Sequence, residues 1–527
     1  VGIDQAVQID HHSVFVCAPA ATTPELLIGI AHLLAAAAQV VGYPIPLPMA
    51  TDSPSGQAAD WKRTAIGMLA LVAVYCIVVY VLPRPETVNA AGWRLTGIFL
   101  ATIVGCILEP IPGGALVLLA VVLSSIFGGL TIDQALGGYA DKTVWLVIAA
   151  FIISRALINT GLARRIALFF VRMFGRSSLG VAYSLALSDG VLAGMIPSNG
   201  ARSGGVILPI ARSIAELYGS KPGETAGVLG CFLMTAVYQS VCVTSAMFFT
   251  GQASNPMAAG IAAKFGYTVT WASWLKASIV PGLLSLFAVP WVVMRLNKPS
   301  VIKTPEASAF AARELKAMGP LSSKERILTV VFIAVCGLWI SYSWTKIDVT
   351  VTALGGGILL LITGVLSWED VKGERAAWDL FIWYGGLVRL GSALFDAGVT
   401  KAFADGVAKQ FGNLGWVGLF AVAIVIYFYA HYAFASITVH IQSMFPVFLA
   451  VLLHKGAPLG LVVFAFACLA NLSAGLTNYG TTPAPMFFAA NYVPLRRWWT
   501  VGAVVSVVNL AIWTTAGFAW WKLIGIW

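Results

Sequence analysis

Apolar stretches of bilayer-crossing length alternate with short polar links along nearly all of this 527-residue chain. A spanning helix needs roughly 20 apolar residues. The pattern predicts spans near 64–82, 91–108, 114–129, 144–171, 272–294, 327–343, 350–366, 378–400 and 500–525. Two hairpins, at 180–217 and 415–454, and two broken helices, at 226–265 and 458–492, interrupt the series. The reading is an all-α polytopic membrane protein with about 11 transmembrane helices and two re-entrant hairpins.

The same landmarks occur twice. The stretch "WLVIAAFIISRALINTGLARRIALFFVRMFG" (145–175) and the stretch "WDLFIWYGGLVRLGSALFDAGVTKAFADGVAKQFG" (378–412) both open on Trp. Gly161 and Gly398, and the closing Phe174-Gly175 and Phe411-Gly412, are 237 residues apart. Ser198 and Ser436 are 238 apart. A constant offset marks an internal duplication. Arg164, Arg165, Arg172 and Arg176 follow Gly161 without an acid, whereas Lys401 and Lys409 follow Gly398 with Asp405 between them. By the positive-inside rule the first end faces the cytoplasm and the second faces out, which makes the copies two inverted-topology repeats, the plan of secondary transporters. The expected divisions are an N-terminal extension (1–60), a first half (61–294), a cytoplasmic linker (295–326) with seven basic residues against three acids, and a second repeat (327–527).

Composition agrees: 59% of residues are hydrophobic and 10% charged, against about 25% charged in soluble domains. The net charge of +10 lies in short loops and calls for a membrane orientation, not for nucleic acid. The seven cysteines have no CxxC spacing and read as free thiols. Segment 26–41 is short for a span and lacks a basic flank, which fits a signal peptide poorly. The expectation is that Val1 is a literally translated alternative start codon, with Met49 the true start and residues 1–48 non-native or disordered.

Four polar breaks carry the candidate chemistry: "PSNGARSGG" (197–205), "TSAMFFTGQASNP" (244–256), "ASITVHIQS" (435–443) and "SAGLTNYGTTPAP" (473–485). Non-helical backbone at membrane depth must line a cavity or be satisfied by protein. Exposed helix N-termini would present N–H groups to an anion. The candidate substrate-binding residues are Ser198, Asn199, Gly200 and Arg202 at the first break, and Ser245 and Thr250 at the second. Ser436, Thr438 and His440 follow at the third, and Thr477, Asn478, Gly480, Thr481 and Thr482 at the fourth. Arg202 and His440 each lie four residues after the matched serine, so two cationic groups on one cavity would suit two carboxylates. Arg202 has a second reading, an ion pair with Asp189 or a cap on the hairpin. His440 has one too, as a structural hydrogen-bonding group. No HExxH or GxSxG motif or paired metal-ligand set is present, so neither an enzyme, a metal site nor a cofactor is expected.

The motifs "PSNGARSGGVILPIARSIA", "SAMFFTGQASNPMA", "ASITVHIQSMFPVFLA" and "LTNYGTTPAPMFFAANYVPLRRWW" resemble the divalent anion:sodium symporter family over roughly residues 60–527. They are most similar to its exchanger branch of citrate/succinate and tartrate/succinate antiporters and the plastid 2-oxoglutarate/malate translocator. The family carries Ser-Asn-Thr at both hairpin tips; here the triplets are Ser198-Asn199-Gly200 and Ser436-Ile437-Thr438. Each departure removes an oxygen-bearing side chain of the kind that helps build sodium sites in sodium-coupled members. The exchanger resemblance implies fixed cations instead, at Arg202 and His440. Exchangers often carry His where this chain has Asn478. The resemblance further implies a homodimer in a bacterial inner membrane, with scaffold and transport domains. It implies elevator-type exchange of 2-oxoglutarate, malate, succinate, citrate or tartrate. Sodium-coupled symport of a dicarboxylate or sulfate is the alternative.

Overall fold

Helix ends in this chain are set by a small number of polar and glycine residues. Asn89 accepts from Gly92 N at 2.7 Å and starts Ala90–Leu108. Asp141 caps Lys142–Thr160, and Gly161, at φ 80°, ends it. Ser322 and Glu325 form a reciprocal capping box at the head of Ser323–Ile340. The computed structural model describes residues 54–410 and 415–527, which belong to one compact unit. Residues 1–48, with the expectation about their origin, lie outside the described residues.

Among the described residues, nine helices are long and apolar enough to cross a membrane. The β-structure found there is a single isolated bridge between Ser177 and Lys303. Three predicted elements differ in detail. The stretch 114–129 forms Gly113–Ile126, only about 21 Å long at 1.5 Å per residue, because Pro112 precedes it and Gly128-Gly129 follows. The predicted span 144–171 is two helices, since the left-handed turn at Gly161 redirects the chain into the amphipathic Leu162–Phe174. The linker 295–326 is not merely a loop. It contains the helix Pro305–Ala317, whose Ala307 and Ala311, one turn apart, are buried against Leu162–Phe174. Arg164 reaches Glu314 at 2.6 Å, and Arg165 reaches Glu325 at 2.7 Å and Gly319 O at 2.8 Å. The arginine-rich helix is thereby tied to the linker.

The first hairpin runs Ser178–Ala193, turns through 194–199, and returns as a π-helical segment, Gly200–Ile207, continued by Leu208–Leu217. The second runs Trp416–Tyr429, a 3-10 turn at Ala430–Ala433, then Ile437–His454. The broken helices are Gly230–Met247 with Ser254–Lys264, and Leu459–Ser473 with the short Pro483–Ala489. All residues of Gly230–Met247, and all of Leu459–Ser473 except the half-buried Leu459, are buried, and the two helices pack on each other. They carry no lipid-facing stripe because protein surrounds them on every side, the condition under which a membrane chain can be interrupted.

Candidate substrate site

Each break frees carbonyl groups that would be orphaned in an apolar medium. At 244–256, Asn255 Nδ2 donates to Ser245 O (2.8 Å) and Phe248 O (2.9 Å), Trp274 Nε1 to Ala246 O (2.9 Å), and Ser278 Oγ to Met247 O (2.5 Å). At 473–485, the Tyr238 hydroxyl donates to Ala474 O (2.7 Å) and Gln239 Nε2 to Gly475 O (2.8 Å). The two systems join where Asn471 Nδ2 donates to Asn255 Oδ1 at 2.8 Å. The unwound segments are therefore tied to their neighbours and to each other.

The tip of the first hairpin rests on the fourth break, 473–485. Asn199 Nδ2 donates to Thr481 Oγ1 at 2.9 Å. A Cβ at Gly200 would lie 2.7 Å from Thr482 Cγ2, so the glycine that replaces the expected threonine permits this approach. Ser198 Oγ accepts from Ala201 N and Ser436 Oγ from Val439 N, each capping the helix that follows its tip. Ser198 and Ser436 are half-buried, Thr482 is exposed, and Asn478 gives its oxygen to Trp499 Nε1 at 3.2 Å. Ser198, Asn199, Gly200, Asn478, Thr481 and Thr482 thus lie on two adjoining segments, rich in hydroxyls and amides and next to helix starts.

Other expected ligands are turned inward. Arg202 is wholly buried and spends its guanidinium on the protein: Nε donates to Asp189 Oδ1 (2.8 Å), Nη1 to Ile196 O (3.0 Å) and Gly251 O (2.8 Å), and Nη2 to Ser245 Oγ (3.1 Å). Asp189 is also fully buried and accepts from Thr244 Oγ1. This corrects the expectation of a free cation, because an unpaired guanidinium in this apolar interior would be far more costly than the pair. Ser245 is consumed by Arg202. Thr250 donates to Gly194 O at 2.9 Å and takes a bond from Trp271 at 3.3 Å. Thr438 is buried, as is Thr477, whose Oγ1 has no hydrogen-bond partner.

His440 is buried as well. It stacks on Phe434 (centroids 5.0 Å, planes at 12°) and lies 4.3 Å from the Tyr427 ring. Its Nδ1 is 2.9 Å from Nδ1 of His431, and His431 Nε2 donates to Gly480 O at 2.8 Å. His431 escaped the sequence reading. Its signal was the polarity of an imidazole inside "YFYAHYAF". Positions correspond closely here: Asp189 and Tyr427 are 238 apart, as are Arg202 and His440, while Gly251 and Gly480 are 229 apart. Gly251 O receives Arg202 directly, and Gly480 O receives the His440 side through His431, both at 2.8 Å.

With that geometry established, the comparisons decide the family. The profile of the sodium:sulfate symporter transmembrane region matches residues 62–527. The chain belongs to the divalent anion:sodium symporter family. It is similar to the protein named "Putative malate transporter YflS" of Bacillus subtilis, at 40% identity over 483 residues, covering 91% of this chain and 100% of YflS. It is similar to dicarboxylate transporter 1 of Arabidopsis thaliana chloroplasts, at 40% identity over 92% of this chain and 86% of that protein. The crystal structure of the YdaH transporter of Alcanivorax borkumensis shares the fold, with a TM-score of 0.50 at 11% identity over 88% of this chain and 98% of YdaH. This member of the family is an integral, multi-pass membrane transporter and not an enzyme.

Proposed function

We propose that this protein exchanges dicarboxylates across a bacterial inner membrane, with malate and 2-oxoglutarate as leading substrates. One observation carries the proposal. The Asn199–Thr481 bond joins a hairpin tip to an unwound segment and gathers the amides and hydroxyls of Ser198, Asn478 and Thr482 beside capped helix starts. Such a cluster suits a carboxylate. The name of the chloroplast relative supports a dicarboxylate, and that of YflS supports malate. The matched contacts at Gly251 and Gly480 support two repeats around one site. In this reading the hairpins and broken helices form a transport domain that moves against a scaffold in an elevator mechanism within a homodimer.

Sodium-coupled symport is the second reading, and one observation favours it. Asp189 cancels the charge of Arg202, so the site has fewer fixed positive charges than a self-sufficient exchanger needs for a dianion. Purified protein in liposomes tests both. Labelled malate should enter only vesicles preloaded with dicarboxylate, and equally in sodium or potassium. Uptake into unloaded vesicles driven by a sodium gradient would replace exchange with symport.

A further inference from the structure

Three imidazole nitrogens connect the second hairpin to the loop that carries Asn478, Thr481 and Thr482. His431 Nε2 lies 2.8 Å from Gly480 O, and the two Nδ1 atoms lie 2.9 Å apart. His440 Nε2 is buried without a hydrogen bond. A carbonyl can only accept, so His431 Nε2 carries a hydrogen. An N···N hydrogen bond holds one hydrogen between the rings. Two neutral rings use their two hydrogens in these contacts and leave His440 Nε2 as a bare lone pair. A third hydrogen turns Nε2 into a donor and gives the pair one positive charge. A fourth would place two like charges 2.9 Å apart and destroy the N–H···N bond. The pair is therefore built to hold zero or one charge.

Arg202 does not supply that charge, because Asp189 neutralises it. The Tyr427 ring faces His440, and Lys401, on the packed helix Val399–Gln410, is exposed. On the packed elements, Cys468 points to Ala246 O, Lys264 to Ser392, and Arg94 to Phe127 O. His454, at the far end of the hairpin helix, meets Asp405 at 3.2 Å. A dianion arriving over the 477–482 loop favours a cation beneath it.

We propose that His431 and His440 form one proton-binding unit that takes a proton from water when a dicarboxylate binds and returns it when the substrate leaves. This rests on the dicarboxylate reading of the neighbouring cluster. The test is calorimetric titration of the purified full-length protein with malate, in buffers of different ionisation enthalpy, from pH 6.5 to 8.5. Carboxyl groups of pKa about 4 are ionised throughout that range, so malate is not the proton source. The expected result is uptake of up to about one proton per malate, with affinity weakening by as much as tenfold per pH unit on the alkaline side. In the double variant His431→Gln with His440→Gln the amide at 431 still donates to Gly480 O, but no imidazole remains to take up the proton. That variant should bind malate more weakly, with a proton count near zero and a flat pH profile. Proton-free binding by the wild type overturns the proposal, as does full uptake in the double variant. Absence of malate binding in the wild type overturns the dicarboxylate reading instead. If the variant fails to fold, the wild-type proton count alone decides.

Discussion

Arg202 Nε sits 2.8 Å from Asp189 Oδ1, with both side chains wholly buried. The pair fastens the first hairpin tip to the helix that leads into it, and further bonds reach Ser245 and Gly251 in the first broken helix. Removing one partner of such a pair strands a charge and costs about 3–5 kcal/mol. Asp189→Asn should therefore lower the thermal stability of the detergent-purified protein markedly. The double variant Asp189→Leu with Arg202→Met should recover most of the loss. A wild-type melting temperature for Asp189→Asn alone would mean that the pair does not hold the tip.

Gly480 is a glycine for want of space. A Cβ there would lie 2.7 Å from Ala474 O and 3.0 Å from both His431 Nε2 and Thr477 Oγ1. Gly480→Ala should destabilise the protein by about 1–3 kcal/mol, as overpacking does. It should weaken malate binding more than the same change at the open position Gly205, where nothing lies within 4 Å. Equal effects at the two positions would disprove the crowding account.

Thr481 Oγ1 accepts the amide of buried Asn199. Thr481→Val preserves shape but leaves that donor unpaired, a penalty of about 1–3 kcal/mol. Thr481→Ser keeps the oxygen and should keep most of the transport. Transport rates for the two variants, compared at matched protein levels, check whether the hydroxyl is what matters.

Lys264, at the end of the first broken helix, donates to Ser392 on Arg375–Asp396. A cavity of about 470 Å³, lined in part by Asp141, Arg389 and Ser392, adjoins the contact. If the broken helices move against this neighbour during transport, joining the two positions must stop the cycle. The double variant Lys264→Cys with Ser392→Cys should lose malate exchange when a short reducible bifunctional thiol reagent bridges the two positions, and regain it on reduction. Undiminished exchange in the fully cross-linked protein would exclude relative movement at this contact.

The sequence by itself determined the helical membrane class, most spans, both hairpins and both breaks. Hydropathy over a bilayer thickness is a local property, and glycine, proline and hydroxyl clusters interrupt it visibly. It also placed Ser198, Asn199, Asn478, Thr481 and Thr482 at the breaks, where the fold gathers them. What it left undecided was the destination of charge. Whether Arg202 faces a substrate or Asp189 depends on two side chains 13 residues apart meeting inside the protein, and both readings were open in one dimension. The role of His431 was invisible because its partners, His440 and Gly480, are nine and 49 residues away. The helix Pro305–Ala317 was hidden for a related reason. Its low hydrophobicity suits a loop, and only packing of Ala307 and Ala311 on a neighbouring helix makes it stable. Burial and pairing are set by long-range packing, and in an apolar interior the cost of an unpaired charge makes that packing decide what each polar residue does.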